Sequence, residues 1–425
     1  MISSFDSLPK DWEIVLGKDI FSQSNVRVKD STRFDSIPVL SMTRYNGLIL
    51  QSKKFDKQVA SRDLSNYKVV TKGQLVYGFP IDEGVIAVQH RYPLGAVSPA
   101  YHVWDIIRDV DLTYLDLALK TPFMIENYSK FASNVVHRRR NLSPSDFLKV
   151  KIPLPPLAEQ RAIARVLTTV RQAIEATERV IEATRQLKKA MMKHLFTYGP
   201  VPVHAVDAVQ LKETEIGWVP EGWEILTVGE VCEIKGGKRL PKGHSFSETQ
   251  SPYPYIRVTD FENGSVRVEE VRYIRQEDYQ RIKNYIIRCD DVYISIAGTI
   301  GLVGIVPEIL DRANLTENAA KMIIRNKTRL RRDFLSNYLA SEIAQKEISS
   351  RTMKTSQPKL ALARIKQIPM ILPPLDEQDA IVRTINSING KIEIENQRKS
   401  SLEALFQSAL HQLMTGKTRV NDLQL

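Results

Sequence analysis

The chain has 425 residues, of which 43% are hydrophobic and 26% charged, with a formal net charge of +11 and a pI near 9.4. That length excludes a single ordinary core and calls for two or three domains, while the excess of cations favours a polyanionic partner. The only two cysteines, Cys232 and Cys289, lack CxxC spacing, which excludes a disulfide framework and a cysteine zinc site and suits a reducing cytoplasm.

The opening "MISSFDSLPKDW" has no apolar core of the signal-peptide kind, so a cytoplasmic protein is expected. A first globular module is expected over 1–151, with short β-branched strands, an Asn46-Gly47 turn, the segment "GQLVYGFPIDEGVIAV" (73–88) and a helical patch near 113–128. At 154 the chain reads "LPPLAEQRAI", the start of a proline segment and long helix over 152–199. Proline is tolerated in the first turn of a helix, which Pro156 supplies, and Gly199-Pro200 ends it. A linker (200–218) leads to a second mixed module over 219–369, with an Asn263-Gly264 turn and a helical patch near 333–348. Its apolar stretch "VYISIAGTIGLVGIV" (292–306) is shorter than a membrane span and carries three glycines, so buried strands joined by a tight turn are expected and no membrane. "LPPLDEQDAI" (372–381) then opens a second proline segment and helix over 370–416, closed by Gly416 and followed by a tail, 417–425.

The two proline segments are one motif written twice. An offset of 218 places Leu154, Pro155, Pro156, Leu157, Glu159 and Gln160 on Leu372, Pro373, Pro374, Leu375, Glu377 and Gln378. Without a gap it also sets Ile163, Leu167, Val170 and Ile174 on Ile381, Ile385, Ile388 and Ile392. Their 4-3-4 spacing is a coiled-coil seam. Thr177, Thr184, Glu395 and Lys399 interrupt it, and Ile181 and Leu402 continue it. The expected helices, 157–196 and 375–414, would be roughly 60 Å long. A fainter repeat precedes each: "LPKDWEI" (8–14) answers "VPEGWEI" (219–225), and Tyr77 answers Tyr293. If the helices pair antiparallel, the repeat becomes a molecular two-fold that matches a pseudo-symmetric duplex. Duplication of a purely structural domain is the plain alternative.

No motif for catalysis is found. There is no GxxxxGK[ST] loop, no Asn/Asp-Pro-Pro-aromatic tetrapeptide and no glycine fingerprint, and the seven histidines form no HxxxH or HExxH pair. Catalytic and metal-binding residues are therefore expected to be absent. Basic loops are better represented. "VVHRRRNLSPSDF" (135–147) carries Arg138, Arg139 and Arg140, and its counterpart "SSRTMKTSQPKLAL" (349–362) carries Arg351, Lys354, Gln357 and Lys359. "SQSNVRVKDS" (22–31) offers Arg27 and Lys29, and "EIKGGKRLPKGHSF" (233–246) offers Lys235, Lys238, Arg239 and Lys242. Such loops pair cations for phosphates with amides and hydroxyls for base edges. Any one of them alone would be a solvated surface; their recurrence in both modules favours DNA.

The sequence resembles the specificity subunits of type I restriction–modification systems. The resemblance rests on the duplicated LPPLxEQxxI helices, "TEIGWVPEGWEI" (214–225), "YIRVTDFENG" (255–264) and "DDVYISIAGTIGLVGIVP" with "ANLTENAAK" (290–321). "IPVLSMTRYNG" (37–47) and "AVSPAYHVW" (96–104) stand in for these blocks in the first half. It implies an α+β chain with two target recognition domains in pseudo-two-fold arrangement, separated by two long antiparallel coiled-coil helices. It also implies DNA contacts from Arg44, Tyr45, Asn46, Arg257, Thr259, Asp260, Asn314, Thr316, Asn318 and Lys321. The motif residues Pro155, Pro156, Glu159, Gln160, Pro373, Pro374, Glu377 and Gln378 would help to dock partners. The implied partners are double-stranded DNA, two modification subunits and restriction/translocase subunits, which would carry S-adenosylmethionine, ATP and Mg²⁺; this chain would hold no cofactor and catalyse nothing. An orphan DNA-binding scaffold without a methyltransferase partner is the alternative, and an endonuclease or methyltransferase acting alone is a third reading.

Overall fold

A computed structural model describes residues 5, 8–30, 37–43, 47–55, 60–131, 142–353 and 358–420. It divides into two compact units, 1–178 with 397–425, and 179–396. The division falls inside both long helices, Leu157–Tyr198 and Leu375–Met414, so each unit holds the start of one helix and the end of the other.

In the first unit the incoming strand Glu13–Leu16 pairs antiparallel with the outgoing strand Lys151–Leu154, closing the module immediately before the first proline segment. Beyond this clasp lies an antiparallel sheet ordered Phe21–Ser24, His102–Ile106, Leu75–Tyr77, Ile86–Val88. Two ribbons lie alongside, Leu40–Thr43 with Gly47–Leu50 and Lys68–Thr71 with Leu94–Val97. Three short helices follow, Leu112–Ala118, Pro122–Ser129 and Pro144–Phe147.

The second unit repeats this order. Glu224–Thr227 clasps Pro369–Leu372, and the sheet runs Cys232–Gly236, Ala319–Ile324, Val292–Ser295, Val303–Ile305. The helices are Arg332–Ala340, Glu342–Arg351 and Leu362–Lys366. Here a second sheet is mixed, because Pro254–Ile256 and Ala313–Leu315 run parallel. Asn263 and Gly264 take φ of 50° and 78°, the left-handed pair that a two-residue hairpin turn requires. Tyr77 and Tyr293 sit at matching places, each on the strand that pairs with both the hairpin mate and the last strand.

Two local expectations change. Each helical patch is two helices, because Thr121 and Ser341 turn out of the helix and cap the next one, accepting from the amides of Met124 and Ala344. The strands of 292–306 are joined by a seven-residue loop (296–302), not a tight turn. Ser295 Oγ donates to the Thr299 carbonyl and accepts from the Leu302 amide, with Gly298 and Gly301 at positive φ.

The long helices pack antiparallel within each unit. In the first, Arg419, just beyond the second helix, binds Glu159, Arg171 lies over the Phe406 ring, and Lys399 meets Glu178 at 2.8 Å. In the second, Leu195 and Phe196 share a core with Ile381 and Ile385. Gly199 and Gly416 end the helices at φ of 82° and 64°. Among the polar interruptions, Thr177 and Thr184 return their hydroxyls to carbonyls one turn back, and buried Glu395 takes Lys391. Ile181 is buried.

The repeated motif builds the joint between module and helix. The Pro156 and Pro374 carbonyls accept the first helical amides, from Gln160 and Gln378. Trp12 Nε1 donates to Glu159 at 3.2 Å and Trp223 Nε1 to Glu377 at 2.9 Å. Gln160 is buried, donating to the Pro155 carbonyl and accepting from the Asp111 amide. Gln378 is buried too; it donates to the Pro373 and Arg329 carbonyls and accepts from the Arg331 amide. These glutamates and glutamines therefore serve the chain's own fold, and of the eight motif residues expected at a partner surface only Pro156 and Pro374 are exposed.

Candidate nucleic-acid interface

In the second module, four loops meet at one end of the four-stranded sheet. The strand Cys232–Gly236 ends there and Ala319–Ile324 begins there, as do the end of Val292–Ser295 and the start of Val303–Ile305. Backbone bonds join the loops in series: Lys238 N to Leu315 O at 2.8 Å, Gly237 N to Ala319 O at 3.0 Å, Ile296 N to Asn318 O at 2.8 Å, and Leu360 N to Ile296 O at 3.0 Å. Gly237 permits the approach, since a Cβ there would lie 2.0 Å from the Thr316 carbonyl oxygen.

This rim presents Lys238, Arg239, Lys242 and Asn318 to solvent, with Lys359 on the adjoining loop. Arg239 is held by Glu317 at 2.8 Å, an exposed pair that a phosphate can replace cheaply. Lys238 lies over the Tyr285 ring, and its carbonyl accepts from Tyr255 O–H. Burial pushes the Tyr255 phenol up to about 12, so it stays a donor there. Lys235 is exposed and pairs with Glu233, and Thr259 is exposed. The half-buried Arg351 is paired with Glu347.

Three expected contact residues face inward instead. Asp260 is fully buried and accepts from the Arg257 amide and guanidinium. Asn314 is fully buried and donates to the Ile282 carbonyl. Lys321 donates to the Ile286 carbonyl and lies 3.5 Å from Asp291. Each satisfies a buried polar partner, and a side chain so placed cannot meet a phosphate while the module is folded. Thr316 is likewise buried, its hydroxyl turned to Glu317, and Arg257 is committed to Asp260 and the Glu270 carbonyl.

In the first module Arg27 and Lys29 are exposed just past the strand Phe21–Ser24, at the matching end of the sheet. Sequence reasoning passed over Lys68, whose backbone pairs with that of Arg27 and whose ammonium donates to the Tyr101 carbonyl. Burial, then the charge of Arg27, holds its ammonium below the usual range. Arg44, Tyr45, Asn46, Arg138, Arg139, Arg140, Lys354 and Gln357 lie outside the described residues.

Beside Lys68, burial depresses the His102 imidazole to about 4, and its Nδ1 has no hydrogen-bond partner among the described residues. An unfolded histidine takes its proton near 6.5, so the unfolded first unit binds more protons between these values. Stability should therefore fall as pH drops from 6.5 towards 4, by about 1–2 kcal/mol after allowing for the ring's partial exposure. His102→Gln should flatten that part of an acid-unfolding curve; an unchanged slope would assign the acid sensitivity elsewhere.

Among the described residues, one grouping, His244, Glu277 and Asp278, has ligand atoms close enough for a metal ion. His244 Nδ1 lies 2.6 Å from buried Asp278, and its Nε2 is 3.3 Å from Arg281. Both carboxylate oxygens of Asp278 are buried without a hydrogen-bond partner among the described residues, and the contact brings the basic loop against the helix Gln276–Ile282. No helix among the described residues is long and apolar enough to cross a membrane.

The fold is a duplicated, two-module one, with a basic, loop-built rim at the sheet end of the second module. Residues 9–184 and 220–404 match the type I restriction modification DNA specificity domain, and the chain belongs to that family of specificity subunits. It is 30% identical over 282 residues to the type I restriction enzyme MjaVIII specificity subunit of Methanocaldococcus jannaschii, covering 65% of this chain and 64% of that one. A putative MjaX specificity subunit of the same organism is 25% identical over 97% of this chain and 95% of its own. The fold matches that of a type I restriction–modification system S subunit from M. genitalium, with a TM-score of 0.55 at 15% identity over 97% of this chain and 98% of that one. A chain solved for complex assembly and conformational transition of the type I system gives 0.59 at 18% identity over 98% and 99%.

Proposed function

We propose that each module reads one half of a split duplex target, and that the chain directs adenine methylation and restriction carried out by partner subunits. The observation that supports this reading is the duplicated frame with exposed cations at the matching end of both sheets, Arg27 and Lys29 in the first module and Lys238, Arg239 and Lys242 in the second. Two modification subunits would dock on the long helices, where Leu187 and Leu405, equivalent in the repeat, are each 52% exposed. Those subunits would bind S-adenosylmethionine, and a restriction/translocase subunit would use ATP and Mg²⁺. The chain itself contributes recognition and no catalysis. A cytoplasmic setting agrees with two free thiols.

Exchange of residues 1–151 for the corresponding module of another specificity subunit tests the reading. Methylome sequencing should show one half of the modified motif replaced and the other retained. Alteration of both halves would mean that the modules do not read independently, and an unmethylated genome with a folded, partner-bound chain would overturn the reading.

A further inference from the structure

Each unit has a groove where the second short helix meets the end of a long helix. In the first unit it lies between Thr121, the cap of Pro122–Ser129, and Met414. In the second it lies between Ser341, the cap of Glu342–Arg351, and Lys193. The repeat offset superposes their walls: Gln407 answers Lys189, Leu410 answers Met192 and His411 answers Lys193. The same place in the fold is therefore furnished in two ways.

The first groove carries no lysine or arginine, and Glu126 lines it. The second is ringed by Arg185, Lys188, Lys189, Lys193 and Lys346 over a floor containing Met192 and Ile343. Lys189 lies 3.8 Å from Glu342; the other four cations have no ion-pair partner among the described residues. Like charges gathered within a Debye length, about 8 Å at physiological salt, repel one another. Because the first groove folds without them, the frame does not require this charge. A ligand does.

We propose that the groove of the second unit binds an acidic, amphipathic segment of a partner protein, carboxylates on the lysine rim and apolar side chains on the floor. Its volume, about 440 Å³, lies within the range of ligand clefts, roughly 300–1,000 Å³. A peptide suits it better than a duplex, because a convex phosphate backbone leaves an apolar floor uncovered. The position agrees. The helix Glu342–Arg351 has the groove at its first turn, and its ten residues carry the chain about 15 Å from there towards Lys359 and Leu360 at the basic rim. The first groove, lacking the cations, does not take the same segment, so the two halves of the chain are unequal towards that partner.

A fluorescein-labelled ten-residue peptide of alternating Glu and Leu, titrated by anisotropy against the full chain without DNA, tests this independently of the methylation reading. Wild type should bind, more weakly at higher salt, and Lys188→Gln/Lys193→Gln/Lys346→Gln should weaken binding at least tenfold. Gln407→Ala/His411→Ala in the first groove should leave it unchanged, as should a Lys/Leu peptide competitor. Binding of a 30-base-pair duplex should be the same in wild type and the triple variant. Equal loss of duplex binding would make DNA the occupant. No peptide binding by wild type, or binding indifferent to the triple variant, would also overturn the proposal. If the triple variant fails to fold, Lys346→Gln alone should weaken the peptide about threefold, and no change there counts against it.

Discussion

Gly237→Ala should abolish the rim of the second module while leaving its core folded. The added Cβ would sit 2.0 Å from the Thr316 carbonyl oxygen and 2.3 Å from that of Leu315. Both obstacles are backbone, so no side-chain rotation relieves them. The loop must move by about 1.4 Å to restore ordinary contact, which breaks the bonds from Gly237 to Ala319 and from Lys238 to Leu315. Two backbone bonds and the accompanying strain are worth about 2–3 kcal/mol. If the displaced Lys238 and Arg239 lose their phosphates, duplex affinity should fall on the order of tenfold or more. Gly222, with nothing within 4 Å and no positive φ, supplies the matched control. Affinity retained in Gly237→Ala would remove this loop from the DNA surface.

Gln378→Leu should be the most damaging single change at a helix joint. Leucine fills the space but deserts three backbone groups, the Pro373 and Arg329 carbonyls and the Arg331 amide. At about 1 kcal/mol for each bond lost, the second unit should lose about 3 kcal/mol. For a unit spanning 179–396 this corresponds to a midpoint lowered by about 6–12 °C. Gln160→Leu deserts only two groups, the Pro155 carbonyl and Asp111 amide, and should cost about 2 kcal/mol. Hydrogen exchange localised to each unit reads the two losses separately. Shifts below about 2 °C in both variants would show that solvent or neighbouring groups satisfy these atoms.

The contrast between these positions shows what the sequence made legible. The long helices and the second-module hairpin follow from apolar spacing, prolines and glycine turns, all local signals, whereas the clasps join strands far apart in the chain and were not legible. The joint was only half visible: Trp12 and Trp223 recur, as do Glu159 and Glu377, yet contacts across 147 and 154 residues leave no local trace. The reading of Asp260 as a DNA contact neglected a spacing of three. Arg257-Val258-Thr259-Asp260 and Arg27-Val28-Lys29-Asp30 are one turn, in which the aspartate accepts from the arginine amide at 2.8 and 2.6 Å. Asn314 and Lys321 stand on central strands with their side chains inward, whereas exposed Asn318 lies in the turn that joins those strands, a difference that residue type alone does not reveal.

Arg419, which grips both Asp11 and Glu159, bears on how the chain is born. The unit spanning 179–396 is continuous and can complete itself once its own stretch has left the ribosome. The other unit cannot. Its core includes Leu413, Met414 and Val420 beside Trp12 and Ile163, so the earlier module must wait, with apolar surface uncovered, until residues beyond 412 have been made. Nascent domains ordinarily mature in chain order; here the unit holding the earlier residues matures after the unit spanning 179–396. A premature stop after 396 would therefore spare the later-made unit and leave the earlier one a permanent client of chaperones.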